Sequence, residues 1–402
     1  MPEAVIVATA RTPIGRAFKG SLVEHRPDDL VADVIAAAMA KVPALTPDRI
    51  DDLHLGAGLP GGEQGFNMGR VVTTLLGWEQ VPGTTITRYC ASSLQTTRMA
   101  MHAIRAGEGH AFVSAGVEMT SRFVNGTSDG PETARNPRFA DAMARTQATA
   151  QGGEDTYTAP DGLPDIYIPM GLTAENVARV TGTTREAMDD FAYASQQRYA
   201  AAAEAGFWSQ DVMPVTLADG SVMDRDESPR VADRDKMATL QPVFRPDGLV
   251  TAGNACPLND GAAAVIVVSD VLAEELGLTP LARVVSTGVS ALNPELMGLG
   301  PVEASTRALA TAGLTIDDMD IVEINEAFAA QVLPSAAQLG IDHERLNPHG
   351  GAIAVGHPFG MTGARITSTL INGLAARDGR YGLETMCVGG GQGMAMVLER
   401  LT

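Results

Sequence analysis

Residues 84–107 read TTITRYCASSLQTTRMAMHAIRAG, and the change of pattern inside them decides the fold class. From 84 to 89 the residues are mostly β-branched with one aromatic, which suits a pleated, partly buried strand. From Ala91 onward Leu94, Met101 and Ile104, with Met99 and Ala100 beside them, recur at helical spacing, and Gly107 supplies a stop. Cys90 therefore falls at a strand-to-helix junction, in the first turn of the helix. Backbone N–H groups there lack intrahelical partners and the helix dipole is positive. Such a place favours a thiolate or a nearby oxyanion. It equally suits a small cysteine packed beneath a helix, since cysteine is often buried.

Outward from this stretch, strand and helix signals alternate over the first 119 residues: strand at 4–8, helix at 28–41, strand at 53–57, helix at 69–76, strand at 84–89, helix at 90–105, strand at 111–116. That alternation predicts a layered α/β fold. The rhythm breaks between 120 and 245, where 125–169 is polar and dotted with Gly, Pro and Asp, as in an irregular surface excursion. Helices are expected inside it at 172–180 and 185–205. Regular structure returns at Thr251, and 261–269 reads as a strand buried on both faces.

The second half echoes the first. Ile50-Asp51-Asp52-Leu53-His54-Leu55 is matched, 266 residues further on, by Ile316-Asp317-Asp318-Met319-Asp320-Ile321. The same offset carries Cys90 to Gly356, one residue before His357. A helix at 363–376 and a strand at 382–388 then follow, as helix and strand follow Cys90. Two copies of one α/β unit are expected, each with a polar residue at an equivalent helix start. The predicted organisation is an N-terminal half, 1–119 completed by 246–270, an inserted loop domain at 120–245 that covers the substrate, and a C-terminal half, 271–402.

At 402 residues the chain exceeds one hydrophobic core, and 45% hydrophobic with 19% charged residues describes a globular protein. Its first ten residues read as a strand and lack the basic start and apolar core of a secretory signal. The longest apolar run, 262–268, is too short to span a bilayer. A net charge of −19 argues against a general nucleic-acid binder. The three cysteines, Cys90, Cys256 and Cys387, make neither a disulfide framework nor a zinc motif, so no metal is expected and a reducing cytoplasm fits. An anionic ligand would need local arginines and backbone N–H groups.

Three further stretches carry chemistry. Residues 350–365 place His357 in a glycine-lined turn, with Pro358 at an apparent first helical position. Residues 386–393 put Cys387 at a strand end that runs into a glycine turn able to face an anion. Residues 323–328 add Asn325 and Glu326 at another strand-to-helix junction, where Asn325 also suits an N-cap. Each has a structural alternative: a tight turn, a packed strand cysteine, a cap.

Arg88-Tyr89-Cys90-Ala91-Ser92-Ser93, Asn325-Glu326-Ala327-Phe328, Gly356-His357-Pro358 and Cys387-Val388-Gly389-Gly390-Gly391 stand in the order and spacing of the thiolases, which the chain resembles over essentially its whole length. Met170-Gly171-Leu172-Thr173-Ala174-Glu175-Asn176, Thr251-Ala252-Gly253-Asn254-Ala255 and Leu258-Asn259-Asp260-Gly261-Ala262 extend the resemblance. It implies a layered α-β-α-β-α fold from two duplicated halves. It also implies acyl transfer between coenzyme A thioesters: thiolysis of a 3-oxoacyl-CoA, or the reverse condensation, through an acyl thioester on Cys90. By resemblance His357 takes the Cys90 proton, and His357 with a water held by Asn325 forms one oxyanion pocket. The N–H groups of Cys90 and Gly389 form the other, and Cys387 exchanges a proton with the acetyl-CoA carbon.

The resemblance carries a substrate channel onto Met170, Phe244, Ala255, Cys256, Met297, Ala327 and Phe328, although core packing would explain Met170, Phe244 and Met297 as well. Arg230 aligns with an arginine near the adenine-phosphate end of coenzyme A, and Arg225 and Arg234 could share that role. No bound cofactor is implied; coenzyme A is a substrate. Family members form dimers or paired dimers, and a β-oxidation multienzyme partner is compatible. Two departures from many relatives stand out: Pro169 where they have histidine, and Cys256-Pro257 where they have Ser-Gly. The first speaks against a pocket selective for acetoacetyl groups and favours a degradative enzyme acting on medium or varied chains. A decarboxylating ketoacyl synthase would need a second active-site histidine. A papain-like hydrolase would need its own cysteine signature. A silent acyl-CoA-binding relative would be expected to have lost one of Cys90, His357 and Cys387.

Overall fold

A computed structural model describes residues 1–123, 135–153 and 156–402. Part of the polar excursion read from the sequence lies outside the described residues. The strands are β1 (Ala4–Arg11), β2 (Gly15–Arg16), β3 (Asp52–Ala57), β4 (Gly83–Ile86), β5 (Ala111–Met119), β6 (Val215–Thr216), β7 (Val222–Met223), β8 (Asn259–Ser269), β9 (Ala282–Ala291), β10 (Ile321–Ile324), β11 (Tyr381–Val388) and β12 (Gln392–Arg400).

Hydrogen bonding orders the main sheet β10-β11-β12-β9-β1-β8-β5-β3-β4, with β2 beside β8 and β6–β7 as a separate hairpin. The duplication is visible in this order. In the first half β3 and β5 are parallel, while β5, β8 and β1 alternate antiparallel. In the second half β10 and β11 are parallel, while β11, β12 and β9 alternate antiparallel. The first half adds β4 as an extra parallel edge strand. The two halves meet at β1 and β9, which pair at Val5 with Arg283 and Ile6 with Ala282.

Side-chain alternation along these strands builds three cores. Val5, Val7, Ala264, Ile266 and Val268 face the helix Pro27–Ala40 on one side. Ile6, Val265 and Val267 turn the other way, as do Met394, Met396 and Leu398 of the second half, and all pack on the helices Ser92–Ala106 and Thr362–Ala376. Leu383, Ala395 and Val397 face the helix Gly300–Ala312, and the same cluster continues through the helix Ala329–Leu339 to the helices of the excursion. Helix, sheet, helix pair, sheet, helix: the five-layer expectation holds. All eleven residues of β8 are buried, as its near-continuous apolar run predicts.

The middle layer positions the chemistry. Its two helices start side by side: the Ala364 N–H donates to Ser93 Oγ at 2.9 Å, and a Cβ on Gly363 would lie 2.2 Å from the Leu94 backbone nitrogen. Only glycine allows that approach.

Candidate active site

Cys90 lies in a single 3-10 turn, Tyr89–Ala91, immediately before the helix Ser92–Ala106. The preceding strand ends at Ile86 and not at residue 89, because the chain must swing sharply to reach the helix. Tyr89 takes up that turn with φ 44°, a left-handed conformation uncommon for an aromatic residue. Ser92 secures it, its Oγ accepting from Arg88 N–H at 2.9 Å and donating to the Tyr89 carbonyl at 2.7 Å. The backbone N–H groups of Gly389 and of Cys90 itself both act on the sulfur. Burial outweighs them and pushes the thiol up to about 12, and the Glu118 carboxylate acts in the same direction. At rest the sulfur keeps its proton.

His357 comes from the second half, between the one-turn helix Ala352–Val355 and the helix Thr362–Ala376. Pro358 is not the first helical residue, contrary to the sequence reading. The chain makes a further turn first, and that turn brings the imidazole back against Thr362. Thr362 Oγ1 donates to the Pro358 carbonyl at 2.7 Å, so toward His357 Nδ1, also at 2.7 Å, it accepts. Nδ1 thus carries the ring proton and Nε2 the lone pair. Asn325 Nδ2 donates to Nε2 at 3.2 Å. Burial lowers His357 to about 3, with the nearby Arg365 charge contributing, so the ring is a neutral base.

Asn325 is not an N-cap, since the next helix begins at Ala329 with Phe328 ahead of it. Its amide reaches the imidazole directly. Cys387, fully buried, is the penultimate residue of β11. Burial holds its thiol well above the ordinary value, and Cys90 and Cys256 add to the effect. Cys256 also feels Cys90. All three thiols of the chain are therefore within electrostatic reach of one another, with Gly389 beside Cys90.

The channel residues fall in two settings that share Phe244 and Ala255. Ala255, Met297, Ala327 and Phe328 are buried in the apolar cluster that contains Cys387, with Met170 and Phe244 packed against it. Phe244 meets Phe328 edge to face at 6.0 Å, and Cys256 N–H donates to the Ala327 carbonyl at 3.1 Å. Phe244, Ala255, Cys256 and Arg230 line an open cleft of about 530 Å³. Arg234 is ion-paired: its guanidinium bonds Asp190 and lies 3.9 Å from Asp189.

Sequence reasoning missed Glu118. Its buried carboxylate accepts from Gly58 N–H (2.7 Å), Leu59 N–H (3.3 Å), Gln64 Nε2 (2.6 Å) and Gly360 N–H (2.7 Å). It ties a loop of the first half to the His357 turn of the second. A carboxylate near the end of a largely apolar strand was the available signal. Thr362 was also missed. Among the described residues no group of three or more His, Cys, Asp or Glu could hold a metal ion, and no helix is long and apolar enough to cross a membrane.

Residues 4–271 match the family described as thiolase, N-terminal domain, and residues 278–400 the thiolase, C-terminal domain. The chain is 41% identical to the beta-ketoadipyl-CoA thiolase of Acinetobacter baylyi, with both chains covered in full. It is 42% identical, again over 100% of both, to the 3-oxoadipyl-CoA/3-oxo-5,6-dehydrosuberyl-CoA thiolase of Escherichia coli. Among solved structures, human mitochondrial 3-ketoacyl-CoA thiolase in complex with CoA is similar at TM-score 0.86 and 35% identity, over 100% of this chain and 98% of that one.

Proposed function

The chain belongs to the thiolase family, and from that premise we propose how its own residues carry the reaction and on what substrates. The reaction class is thiolytic cleavage of a 3-oxoacyl-CoA, or the reverse condensation, and the enzyme is an acyltransferase with coenzyme A as a substrate. In the cleavage direction, Cys90 Sγ attacks the keto carbon while His357 Nε2 takes the thiol proton. The protonated sulfur and the neutral imidazole of the resting site favour a transfer that accompanies carbon–sulfur bond formation over a preformed thiolate. The developing oxyanion meets the N–H groups of Cys90 and Gly389.

The carbon–carbon bond then breaks. Its electrons leave on the enolate of acetyl-CoA, whose oxygen is held by His357 and a water on Asn325 and whose carbon takes a proton from Cys387. Coenzyme A thiol finally attacks the acyl group on Cys90, giving its proton to the Cys387 thiolate, and Cys90 departs as the leaving group and recovers its proton from His357. The observations that support this reading are the Gly389 N–H acting on Cys90 and the hydrogen-bonded pair Asn325–His357, in two halves whose helices start in contact.

The physiological reading is a degradative enzyme acting on medium or varied 3-oxoacyl-CoAs, its loop domain at 120–245 covering the acyl end. Relatives named for 3-oxoadipyl-CoA support a substrate longer than acetoacetyl-CoA. Three free thiols suit a reducing cytoplasm. The half-buried edge strand β4 leaves backbone groups that a second copy can pair, which supports a homo-oligomer. A β-oxidation multienzyme partner is compatible with that assembly.

Intact-mass spectrometry tests the covalent step. Incubation with 3-oxoacyl-CoAs of increasing length should add the matching acyl group to the wild type and nothing to Cys90→Ala, whose circular dichroism should be unchanged. A Cys90→Ala variant that still turned over these substrates would overturn the assignment.

A further inference from the structure

The cleft that holds Phe244, Ala255 and Cys256 has a second wall, absent from every expectation above: the turn that follows β2. Cys256, which feels Cys90, marks the reacting end of the cleft, and Arg16, Phe18 and Lys19 line it from the opposite bank together with Arg230. Arg16 and Lys19 are exposed, and no carboxylate lies within ion-pair distance of either among the described residues. Arg230 has none either; its guanidinium donates to the Ala252 carbonyl at 2.9 Å. Three cations without counter-charges in one cleft are notable in a chain of net charge −19 with only three lysines. The one carboxylate on the cleft wall, Glu227, is already engaged by the N–H groups of Arg16 and Ser21 at 3.0 Å each and by the Ser21 hydroxyl.

The turn is built to hold this arrangement. A Cβ on Gly20 would lie 2.2 Å from the Glu227 carboxylate, so only glycine lets the turn close. Phe18 sits at φ 66°, its N–H held by Ser121 Oγ at 2.7 Å, and its ring is left 60% exposed. A strained backbone that keeps a phenyl ring in water calls for a partner for that ring. Val243 and Leu258, both more than half exposed, line the same cleft.

We propose that the turn from Arg16 to Ser21 grips the nucleotide end of coenzyme A, with Phe18 against the adenine face and Arg16 and Lys19, across from Arg230, on the phosphates. The inference rests on the thiolase reading and adds to it a nucleotide-binding element in the first half of the chain. An aromatic face beside two cations fits a phosphorylated adenosine, since every base offers a π-face and phosphate prefers uncompensated cations.

Titration calorimetry of the full-length enzyme with coenzyme A and with pantetheine tests it, in parallel with acyl-adduct formation. The Arg16→Ala/Lys19→Ala double variant should weaken coenzyme A binding by about ten-fold or more and erase most of the preference for coenzyme A over pantetheine. Phe18→Ala should weaken coenzyme A by about five-fold or more and leave dephospho-coenzyme A similarly affected. Variants that bind coenzyme A like the wild type, or that lose coenzyme A and pantetheine equally, would overturn the proposal. So would a wild type that forms the acyl adduct yet binds coenzyme A no better than pantetheine; the thiolase reading would then stand without it. Failure of the wild type to form any adduct would remove both.

Discussion

Cys90 and His357 stand ahead of matching helices, in halves whose strands run in the same order, yet their surroundings differ in kind. The sulfur of the first half is handled through backbone: a strained Tyr89, a short turn, its own N–H and the Gly389 N–H lent by the second half set its position, and burial sets its proton affinity. The second half handles its imidazole through side chains, with Thr362 on one ring nitrogen and Asn325 on the other. One duplicated framework therefore supplies a nucleophile where peptide groups face the sulfur, and a base where side chains fix the tautomer. The lesson is that a repeated fold fixes where a reactive group stands, while the few residues around it fix what it does.

Asn325→Ala attacks the side-chain arm of this contrast most strongly. Loss of an oxyanion donor should lower kcat by about 10²–10³. A steady-state assay with a loss under ten-fold would mean that the second half does not depend on side chains in this way. Thr362→Val is the finer cut. It removes the acceptor from Nδ1 but keeps the shape, and should cost about ten-fold in kcat with little change in KM. Thr362→Ser should restore most of the rate, and if it did not, packing and not hydrogen bonding would be the role of Thr362.

The smallest effect expected is on pH dependence, and it separates the two halves. His357 is lowered to about 3, so its protonated fraction is negligible from pH 5 to 7 and no inflection near 6.5 should appear in the rate of Cys90 alkylation. Cys90 is raised to about 12, so the thiolate fraction, and with it the alkylation rate by iodoacetamide, should climb about ten-fold per pH unit through pH 7–9. A plateau beginning near pH 7 would mean that the backbone N–H groups outweigh burial at the sulfur.

Much of this was legible before any coordinates. The strand-to-helix change at Cys90 and the continuous apolar run of β8 follow from local periodicity, and the six-residue echo at offset 266 pointed to the duplication that the sheet order displays. What local pattern could not give was direction. Asn325 read equally as a cap because its partner lies 32 residues away on another turn. Pro358 read as a helix start because nothing local signals that the ring must fold back on Thr362. Glu118 and the cations of the turn after β2 act only through residues brought near by the fold, Gly360 in one case and Arg230 in the other. Motif matching locates the reacting atoms better than it locates their supports.

The thin seam between β1 and β9, two residue pairs wide, bears on how the protein can fail. Because sulfur and imidazole arrive from opposite sides of that seam, their alignment depends on the few contacts that bridge it elsewhere, the Ala364–Ser93 and Glu118–Gly360 bonds among them, more than on strand pairing. Mild urea should thus silence turnover before ellipticity falls. Damage that leaves the molecule looking native to spectroscopy would already have switched it off.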